Sequence, residues 1–316
     1  MSGRVLVTGG AGFIGSHLAA EYQRAGWEVT VIDDLSRGKQ HNVPAGVPLI
    51  KADVRSPEAR AAVAQGRFDV VNLQAAQIDV RVSVQDPALD AQTNVFGLIN
   101  LLEGAAEGKV RRVVFASSGG VVYGDPDVLP TPETAPKMPI SPYGVSKLSG
   151  EHYLRALGQL RGFETVAMRY ANVFGPRQDP KSEAGVVSIF ISRLLAGQSI
   201  TIYGDGKQTR DYVFVQDVAR ANVAASTAKL APPADHDSIA FNVATGQQIS
   251  VLQLANAVAG VLEVKPNIEF ASARAGELMR SSLDISKAKA ALGWAPQVPF
   301  NDGLRTVAEW FKAGAR

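Results

Sequence analysis

The chain contains no cysteine, and this absence excludes several classes of chemistry. Disulfides, thiolate nucleophiles and cysteine zinc sites are impossible anywhere in its 316 residues. Only four histidines occur, at positions 17, 41, 152 and 236, and they are scattered along the chain. A histidine metal site is therefore not expected, and catalysis must use other side chains.

Long apolar runs and blocks of like charge are also missing. No run approaches the roughly 20 apolar residues of a membrane helix, and no apolar signal-peptide core follows Met1-Ser2-Gly3-Arg4. The formal net charge is only +2, without a basic block, so nucleic acid is not an expected partner. We expect a soluble, cytoplasmic protein that spans no membrane.

Apolar strands and helical patterns alternate through the first half of the chain. Candidate strands lie at 4–8, 28–33, 48–51, 68–73, 111–117 and 165–170, and candidate helices at 13–25, 57–65, 87–107 and 142–161. This alternation predicts an α/β fold with a doubly wound parallel sheet, the Rossmann architecture. The regularity weakens after Pro176. We therefore predict a nucleotide-binding domain over 1–176 and a smaller mixed α/β lobe over 177–316, with a return to the first domain at about 210–229.

A glycine-rich turn separates the first strand from the first helix. Gly9, Gly12 and Gly15 follow the apolar run Val5-Leu6-Val7, and Phe13-Ile14 open the helical pattern. Glycines at this spacing allow a tight turn, close approach of a pyrophosphate to the backbone, and packing of the helix on the sheet. Free N–H groups at the helix start can then bind the phosphates. The segment predicts a dinucleotide site.

An acidic residue ends the second strand, where it selects between two dinucleotides. Asp33 follows Val31-Ile32 and can bind the ribose 2′-hydroxyl. A carboxylate there repels a 2′-phosphate, so NAD is favoured over NADP. Arg37 lies close by and argues in the other direction.

Three residues form a candidate catalytic set. Ser141-Pro142 suits a helix cap, which places Tyr143 in the first turn and Lys147 one turn later on the same face. The cation and the positive helix end are expected to lower the pKa of Tyr143, making it a general base for an alcohol proton. Ser118 directly follows the candidate strand 111–117. Its hydroxyl should face the same crevice, where it can donate a hydrogen bond to a substrate oxygen.

These features, in this order, resemble the extended short-chain dehydrogenase/reductase superfamily over nearly the whole chain. Within it the chain looks like the nucleotide-sugar 4-epimerases of the UDP-glucose (UDP-galactose) 4-epimerase group. The matching segments are Gly9–Gly15, Asp33–Ser36, Ala75-Ala76, Asn94–Gly97, Ser118, Ser141–Tyr143, Arg169–Asn172, Tyr203–Gly206, Arg210–Tyr212 and Arg274–Glu277.

The resemblance implies further site residues. Asp34, Leu35, Ser36 and Gly38 should join Asp33 around the adenosine ribose, and Asp53 and Val54 should flank the adenine. Gln74, Ala75, Ala76, Asn94, Ser117, Lys147 and Tyr170 should surround the path to the nicotinamide and its ribose. On the substrate side it implies Gln77, Ser118, Tyr143, Asn172 at the diphosphate, Tyr203 near the uracil, and Arg210 and Arg274 paired with the diphosphate.

The resemblance also implies the reaction, a 4-epimerisation of a UDP-hexose through a transient 4-keto sugar with tightly bound NAD. Related dehydratases place an acid just after the strand-end serine or threonine. Here Gly119-Gly120-Val121-Val122 offers no carboxylate, so dehydration is disfavoured. The chain departs from the family at Leu73 and Phe214, where relatives often have histidine.

Several alternatives stay open. A small residue at Ser281 leaves room for an acetamido group, so UDP-GlcNAc and UDP-GalNAc are candidate substrates beside UDP-Glc and UDP-Gal. A UDP-uronic acid epimerase and a nucleotide-sugar reductase are other candidates. A non-catalytic dinucleotide-binding regulator is a further alternative, which the presence of Ser118, Tyr143 and Lys147 disfavours. The resemblance also implies a homodimer through helices 87–107 and 142–161.

Overall fold

The computed structural model describes residues 3–180, 185–273 and 278–314. The strands are β1 Arg4–Thr8, β2 Glu28–Asp33, β3 Leu49–Lys51, β4 Val70–Leu73, β5 Arg112–Ser118, β6 Glu164–Tyr170, β7 Asn172–Phe174, β8 Ile200–Tyr203, β9 Thr209–Arg210, β10 Tyr212–Phe214, β11 Ala240–Val243, β12 Ile249–Ser250 and β13 Ile268–Ala271. The helices are α1 Phe13–Arg24, α2 Pro57–Gln65, α3 Val80–Gln85, α4 Pro87–Ala91, α5 Gly97–Glu107, α6 Pro142–Arg161, α7 Val186–Leu195, α8 Val215–Thr227, α9 Val251–Leu262, α10 Ser286–Leu292 and α11 Phe300–Lys312.

Seven parallel strands form the main sheet in the order β3-β2-β1-β4-β5-β6-β11. Chain order reverses direction between β1 and β4, which is the switch point where such sheets bind ligands at their carboxyl ends. The apolar strands predicted from the sequence are buried on both faces because helices cover both sides. The doubly wound α/β fold is confirmed.

Two hydrophobic cores hold the helices to the sheet. On one face α1 and α8 pack around Tyr22, Met168 and Phe241. On the other face α2, α5 and α6 pack around Leu102 and Leu154. The packing of α8 on α1 brings residues 215–227 against this face of the main sheet.

The seventh strand of the main sheet, β11, lies after the segment 210–229 that was predicted to return to the first domain. β11 pairs in parallel with β6, with Asn242 beside Arg169. The sequence prediction placed residues 230–300 mostly in the smaller lobe, and the structure instead gives four of them to the main sheet. The division of the chain near residue 176 remains a proposal.

A third core builds the smaller lobe. It joins α7, α9 and α11 with β8 and β10, and Phe174, Tyr212 and Phe300 pack ring against ring at its centre. β8 and β13 form a separate two-stranded sheet.

The predicted helix 87–107 is interrupted. Asp86 caps α4 by accepting the Leu89 N–H at 2.9 Å, with Pro87 at the first helical position. A π-helical turn, Gln92–Phe96, then joins α4 to α5. Such turns widen a helix locally and are frequent at functional sites.

No helix among residues 3–180, 185–273 and 278–314 has the length and apolar character needed to cross a bilayer.

Candidate active site

The glycine turn leaves room for no side chain where it meets the sheet and the start of α1. Gly9 has φ +66°, and its N–H donates to Ile32 O at 2.8 Å. A Cβ on Gly15 would lie 2.1 Å from Gly9 O, and one on Gly9 would lie 2.9 Å from Ala75 Cα. No side chain caps α1, whose first turn follows Gly12, so its leading N–H groups can bind an anion.

Replacing Gly15 with alanine should displace the turn, because the new methyl group would overlap Gly9 O. We expect the purified variant to lose most of its bound dinucleotide, measured by absorbance and chromatography of the supernatant after denaturation. Gly260→Ala is the matched control, since Gly260 lies inside α9 with no neighbouring atom within 4 Å of a new Cβ. Equal dinucleotide content in both variants would contradict the steric role of Gly15.

Asp33 ties the end of β2 to this turn. Its two carboxylate oxygens accept the N–H groups of Ala11 and Leu35, each at 2.9 Å. Burial raises its pKa, although these hydrogen bonds oppose the change. A Cβ on Gly38 would lie 2.6 Å from Asp33 Oδ1, so Gly38 leaves that oxygen space. Each oxygen keeps a second lone pair for a ribose hydroxyl.

The neighbouring acidic residues have partners within their own loops. Asp34 Oδ1 accepts both the N–H and the hydroxyl of Ser36, at 2.9 and 2.6 Å. Asp53 accepts the Arg55 N–H at 2.8 Å and Arg55 Nη2 at 2.5 Å, and these bonds lower its pKa. Val54 packs beside Gly97. Both loops are thus preformed on the β2–β3 side of the sheet.

Helix α6 presents Tyr143 and Lys147, the predicted catalytic pair, at the end of β5. Ser141 caps it by accepting the Gly144 N–H at 3.1 Å, as the sequence predicted. Lys147 is buried, and its Nζ donates to Ala116 O at 2.8 Å while lying 5.7 Å from the Tyr143 ring centroid. The ammonium therefore lies between the tyrosine and the strand that ends in Ser118.

The protein's own groups shift the two pKa values in opposite directions. Burial lowers the pKa of Lys147 to about 8, although the charges of Asp90 and Glu151 oppose this. Burial, followed by the charge of Asp90, raises the pKa of Tyr143 well above its usual value. The prediction that Lys147 and the helix end lower the pKa of Tyr143 is wrong for the protein alone, because burial outweighs them.

Ser117 and Ser118 point to opposite faces of the sheet, as neighbours in a strand do. The Ser117 hydroxyl donates to Glu151 Oε1 at 2.5 Å and is 3% exposed. Its side chain therefore points into the protein interior, where it binds Glu151. The carbonyl of Ser118 accepts the N–H groups of Val121 and Val122, which turns the chain sharply after β5.

Residues predicted around the cofactor, from Val54 at the adenine to Lys147 at the nicotinamide ribose, line one small cavity. Val54, Ala75, Asn94 and Lys147 meet there, with Leu73 and Phe115 completing an apolar wall. Leu73, one of the departures from the family, is thus a packing residue at the end of β4.

Asn94 and Gln77 hold each other in a closed pair beside this cavity. Asn94 Oδ1 accepts the Gln77 N–H, and Asn94 Nδ2 donates to Gln77 O, both at 2.8 Å. Asn94 Nδ2 also donates to Asp90 Oδ1 at 2.9 Å. Sequence reasoning missed Asp90, since a single acidic residue in a helix usually faces water.

Tyr170 is part of a second buried network. Its hydroxyl donates a hydrogen bond to Asn222 Oδ1 at 3.1 Å and accepts one from Gln74 Nε2, also at 3.1 Å. Thr8 Oγ1 accepts the N–H groups of Gln74 and Ala75, which fixes the chain after β4. The sequence did not predict the roles of Asn222 and Thr8 in this network. It also did not predict the contact of Ser83, whose hydroxyl accepts the Tyr143 N–H at 3.2 Å.

The predicted substrate residues lie mostly at the junction with the smaller lobe. Asn172 begins β7, and its N–H donates to Asp211 O at 2.9 Å. Arg210 Nη1 donates to the carbonyls of Thr209 and Leu278 at 2.8 Å. Tyr203 ends β8 with its ring partly exposed. Arg274 lies outside the described residues.

Two further positions that the sequence singled out are buried. Phe214 packs in the core of the smaller lobe with its ring centroid 5.4 Å from that of Phe174, so this departure from the family also serves packing. Ser281 is 7% exposed.

Comparisons with known proteins agree with this geometry. The profile of the NAD dependent epimerase/dehydratase family matches residues 5–244. The UDP-glucose 4-epimerase of Mycolicibacterium smegmatis is 43% identical over 314 residues, 98% of each chain.

Two solved structures are also similar. The UDP-glucose 4-epimerase of Thermotoga maritima, solved with UDP-glucose, has a TM-score of 0.93 at 40% identity, covering 99% of this chain and 100% of that one. That of Thermus thermophilus, solved with NAD, has a TM-score of 0.91 at 44% identity with the same coverage. Because the family profile matches residues 5–244, about three quarters of the chain, the chain belongs to the NAD-dependent epimerase/dehydratase family, within the extended short-chain dehydrogenase/reductases.

Proposed function

We propose that the protein is an NAD-dependent 4-epimerase that interconverts UDP-glucose and UDP-galactose. The observation that carries this proposal is the placement of Tyr143 and buried Lys147 at the carboxyl end of β5. Relatives named UDP-glucose 4-epimerase match the chain over nearly its full length, which supports the same reaction.

The residues of the glycine turn fit a dinucleotide. Gly9 and Gly15 leave no room for a Cβ, α1 begins without a side-chain cap, and Asp33 keeps lone pairs for a ribose hydroxyl. When bound, NAD would accept a hydride from the sugar C4 and return it.

The protein's own residues would transfer the proton and orient the sugar. Tyr143 would remove the proton of the 4-hydroxyl and later return it to the same oxygen. Lys147 would hold the ribose and favour the tyrosinate, and Ser118 would bond the 4-oxygen. Since burial and Asp90 raise the pKa of Tyr143, the base form depends on the positive charges of Lys147 and of an oxidised cofactor.

The proposal is tested by mixing the purified protein with UDP-galactose and following the C4 configuration of the product by NMR. We expect interconversion without added cofactor, and NAD in the supernatant after denaturation. Turnover that consumes NADPH, with no NAD released, would contradict the proposal and favour a reductase.

The same panel includes UDP-GlcNAc, UDP-GalNAc and a UDP-uronic acid. Because Ser281 is small, we propose that the acetamido sugars are also accepted. Turnover of the hexoses alone would refute this broader specificity.

We further propose a homodimer through α4, α5 and α6. Large apolar side chains are exposed on α6 and on the π-helical turn between α4 and α5, with Phe96 at 57%, Val145 at 50% and Leu160 at 76% exposed. A subunit interface would cover such side chains.

Replacing Phe96 with aspartate should place a charge in this interface, and we expect the sedimentation coefficient to fall to the monomer value. Phe270→Asp is the matched control, since Phe270 is 60% exposed but lies on β13 in the smaller lobe. A wild-type protein that sediments as a monomer would contradict the proposed dimer.

A further inference from the structure

A buried carboxylate lies beside the catalytic pair without a role in the mechanism so far. Asp90 is 0% exposed in the middle of α4. Its Oδ1 accepts Gln77 Nε2 at 3.0 Å and Asn94 Nδ2 at 2.9 Å, and its Oδ2 accepts the Ser146 hydroxyl at 2.5 Å. A buried ionised carboxylate is costly unless it is compensated, so its retention here needs an explanation.

The contacts of Asp90 join three parts of the active site. Gln77 belongs to the segment after β4, Asn94 to the π-helical turn, and Ser146 to α6. Ser146 lies between Tyr143 and Lys147 in the sequence, so the carboxylate holds this turn of α6 against α4 and the π-helical turn.

The three donors to Asp90 are neutral, so its charge acts on the ionisable groups around it. From α6 these are Tyr143 and Lys147, with Glu151 one turn further on. From the start of α3 they are Asp79 and Arg81, which pair with each other at 3.3 Å. Asp86 caps α4 itself, and the π-helical turn, Gln92–Phe96, carries no titratable side chain.

We propose that Asp90 is a positioning residue: through the Ser146 hydroxyl it fixes the turn of α6 that carries Tyr143 and Lys147, and it places a buried negative charge beside both. The inference rests on the proposed epimerase function. It requires no new ligand, because the carboxylate acts through Ser146 and through its charge.

An epimerase needs such a balance because its base must also act as the acid. Tyr143 takes a proton from the sugar and must give the same proton back. Lys147 and the positive charge of the oxidised cofactor stabilise the tyrosinate, whereas the negative charge of Asp90 stabilises the protonated tyrosine. The negative charge of Asp90 thus opposes the two positive charges and favours return of the proton from Tyr143 to the sugar oxygen in the second half of the reaction.

Two variants of the holoenzyme separate charge from contact. Asp90→Asn removes the charge but keeps the shape: its amide oxygen can still accept from Gln77 and Asn94, and its NH2 group can donate to the Ser146 hydroxyl. Ser146→Ala keeps the charge but removes the contact with α6. The measurement is kcat against pH for both variants and the wild type, with bound NAD quantified in each.

The expected results differ in direction. Without the negative charge the tyrosinate forms more easily, so the acid limb of kcat should move down by about one pH unit in Asp90→Asn. In Ser146→Ala the limb should stay in place while kcat falls at every pH. An unshifted limb in Asp90→Asn, with or without lower activity, would mean that Asp90 is merely structural and would overturn the proposal.

Further measurements keep the proposal testable if the Asp90→Asn variant does not fold or if the wild-type protein is not an epimerase. If Asp90→Asn does not fold, Asp90→Ser is used for the same profile. If the wild type shows no epimerisation, the proposed function fails by itself. Ultraviolet titration of Tyr143, taken as the difference between each protein and its Tyr143→Phe counterpart, then tests the charge effect without turnover. Ionisation at lower pH in the Asp90 variant supports the proposal, and an unchanged titration overturns it.

Discussion

Replacing Tyr143 with phenylalanine should reduce kcat by about 10³-fold and leave bound NAD in place. General acid–base groups typically contribute ~10²–10⁴-fold to the rate. The phenyl ring keeps the packing against Lys147, whose Nζ lies 5.7 Å from the ring centroid, so the loss reflects the missing hydroxyl. The measurement is epimerisation of UDP-galactose at saturating substrate, with NAD determined after denaturation.

Tyr153→Phe provides the matched control, since Tyr153 lies on the same helix with its side chain 43% exposed. It should retain full activity. A Tyr143→Phe enzyme of unchanged kcat would show that another group carries the proton, and unchanged biological activity without catalysis would favour a regulatory role.

The local parts of the fold followed from the sequence because short-range chemistry determines them. β1, β2, α2 and α6 have the predicted ends: β1 is flanked by Gly3 and Gly9, β2 begins and ends at an acidic residue, and α2 and α6 begin at proline after serine. β11 could not be predicted in the same way. Its four residues join the sheet only through β6, some seventy positions earlier in the chain.

The placement of Ser118, Tyr143 and Lys147 near one another could be predicted because they stand near strand and helix ends, where side chains converge in a doubly wound sheet. Their electrostatics were not. The effect of burial and of Asp90 on Tyr143 depends on how α4 packs against α6, which no local pattern specifies. Asp90 and Glu151 both lie inside helices, and only tertiary packing shows that neither faces water.

Three neighbouring strands of the main sheet hold buried polar side chains next to one another, an arrangement that the sequence did not predict. Ser117, Arg169 and Asn242 lie side by side on β5, β6 and β11. Arg169 donates to both oxygens of Glu151, at 2.9 and 2.7 Å, and to the hydroxyl of Tyr123 at 2.9 Å. This row connects α6 and the segment after Ser118 to the sheet.

Replacing Arg169 with methionine should destabilise the protein by about 3–5 kcal/mol, because it leaves the buried Glu151 carboxylate without the arginine that bonds both of its oxygens. Both side chains are fully buried. The free energy of unfolding from urea titration measures the effect. Arg305→Met is the control, since the ion pair of Arg305 with Asp302 is exposed and should contribute little.

The pH dependence of this loss identifies the charge as its cause. Burial alone would raise the pKa of Glu151, but hydrogen bonds from Arg169 and His236 hold it at about 2, against a usual value of 4.5. The stabilisation is therefore complete above pH 4.5 and declines as the pH falls toward 2. The double variant with Glu151→Gln removes both charges and should recover part of the loss at about pH 7. A double variant that is as unstable as the sum of both single variants would show that packing, and not the paired charges, gives Arg169 its effect.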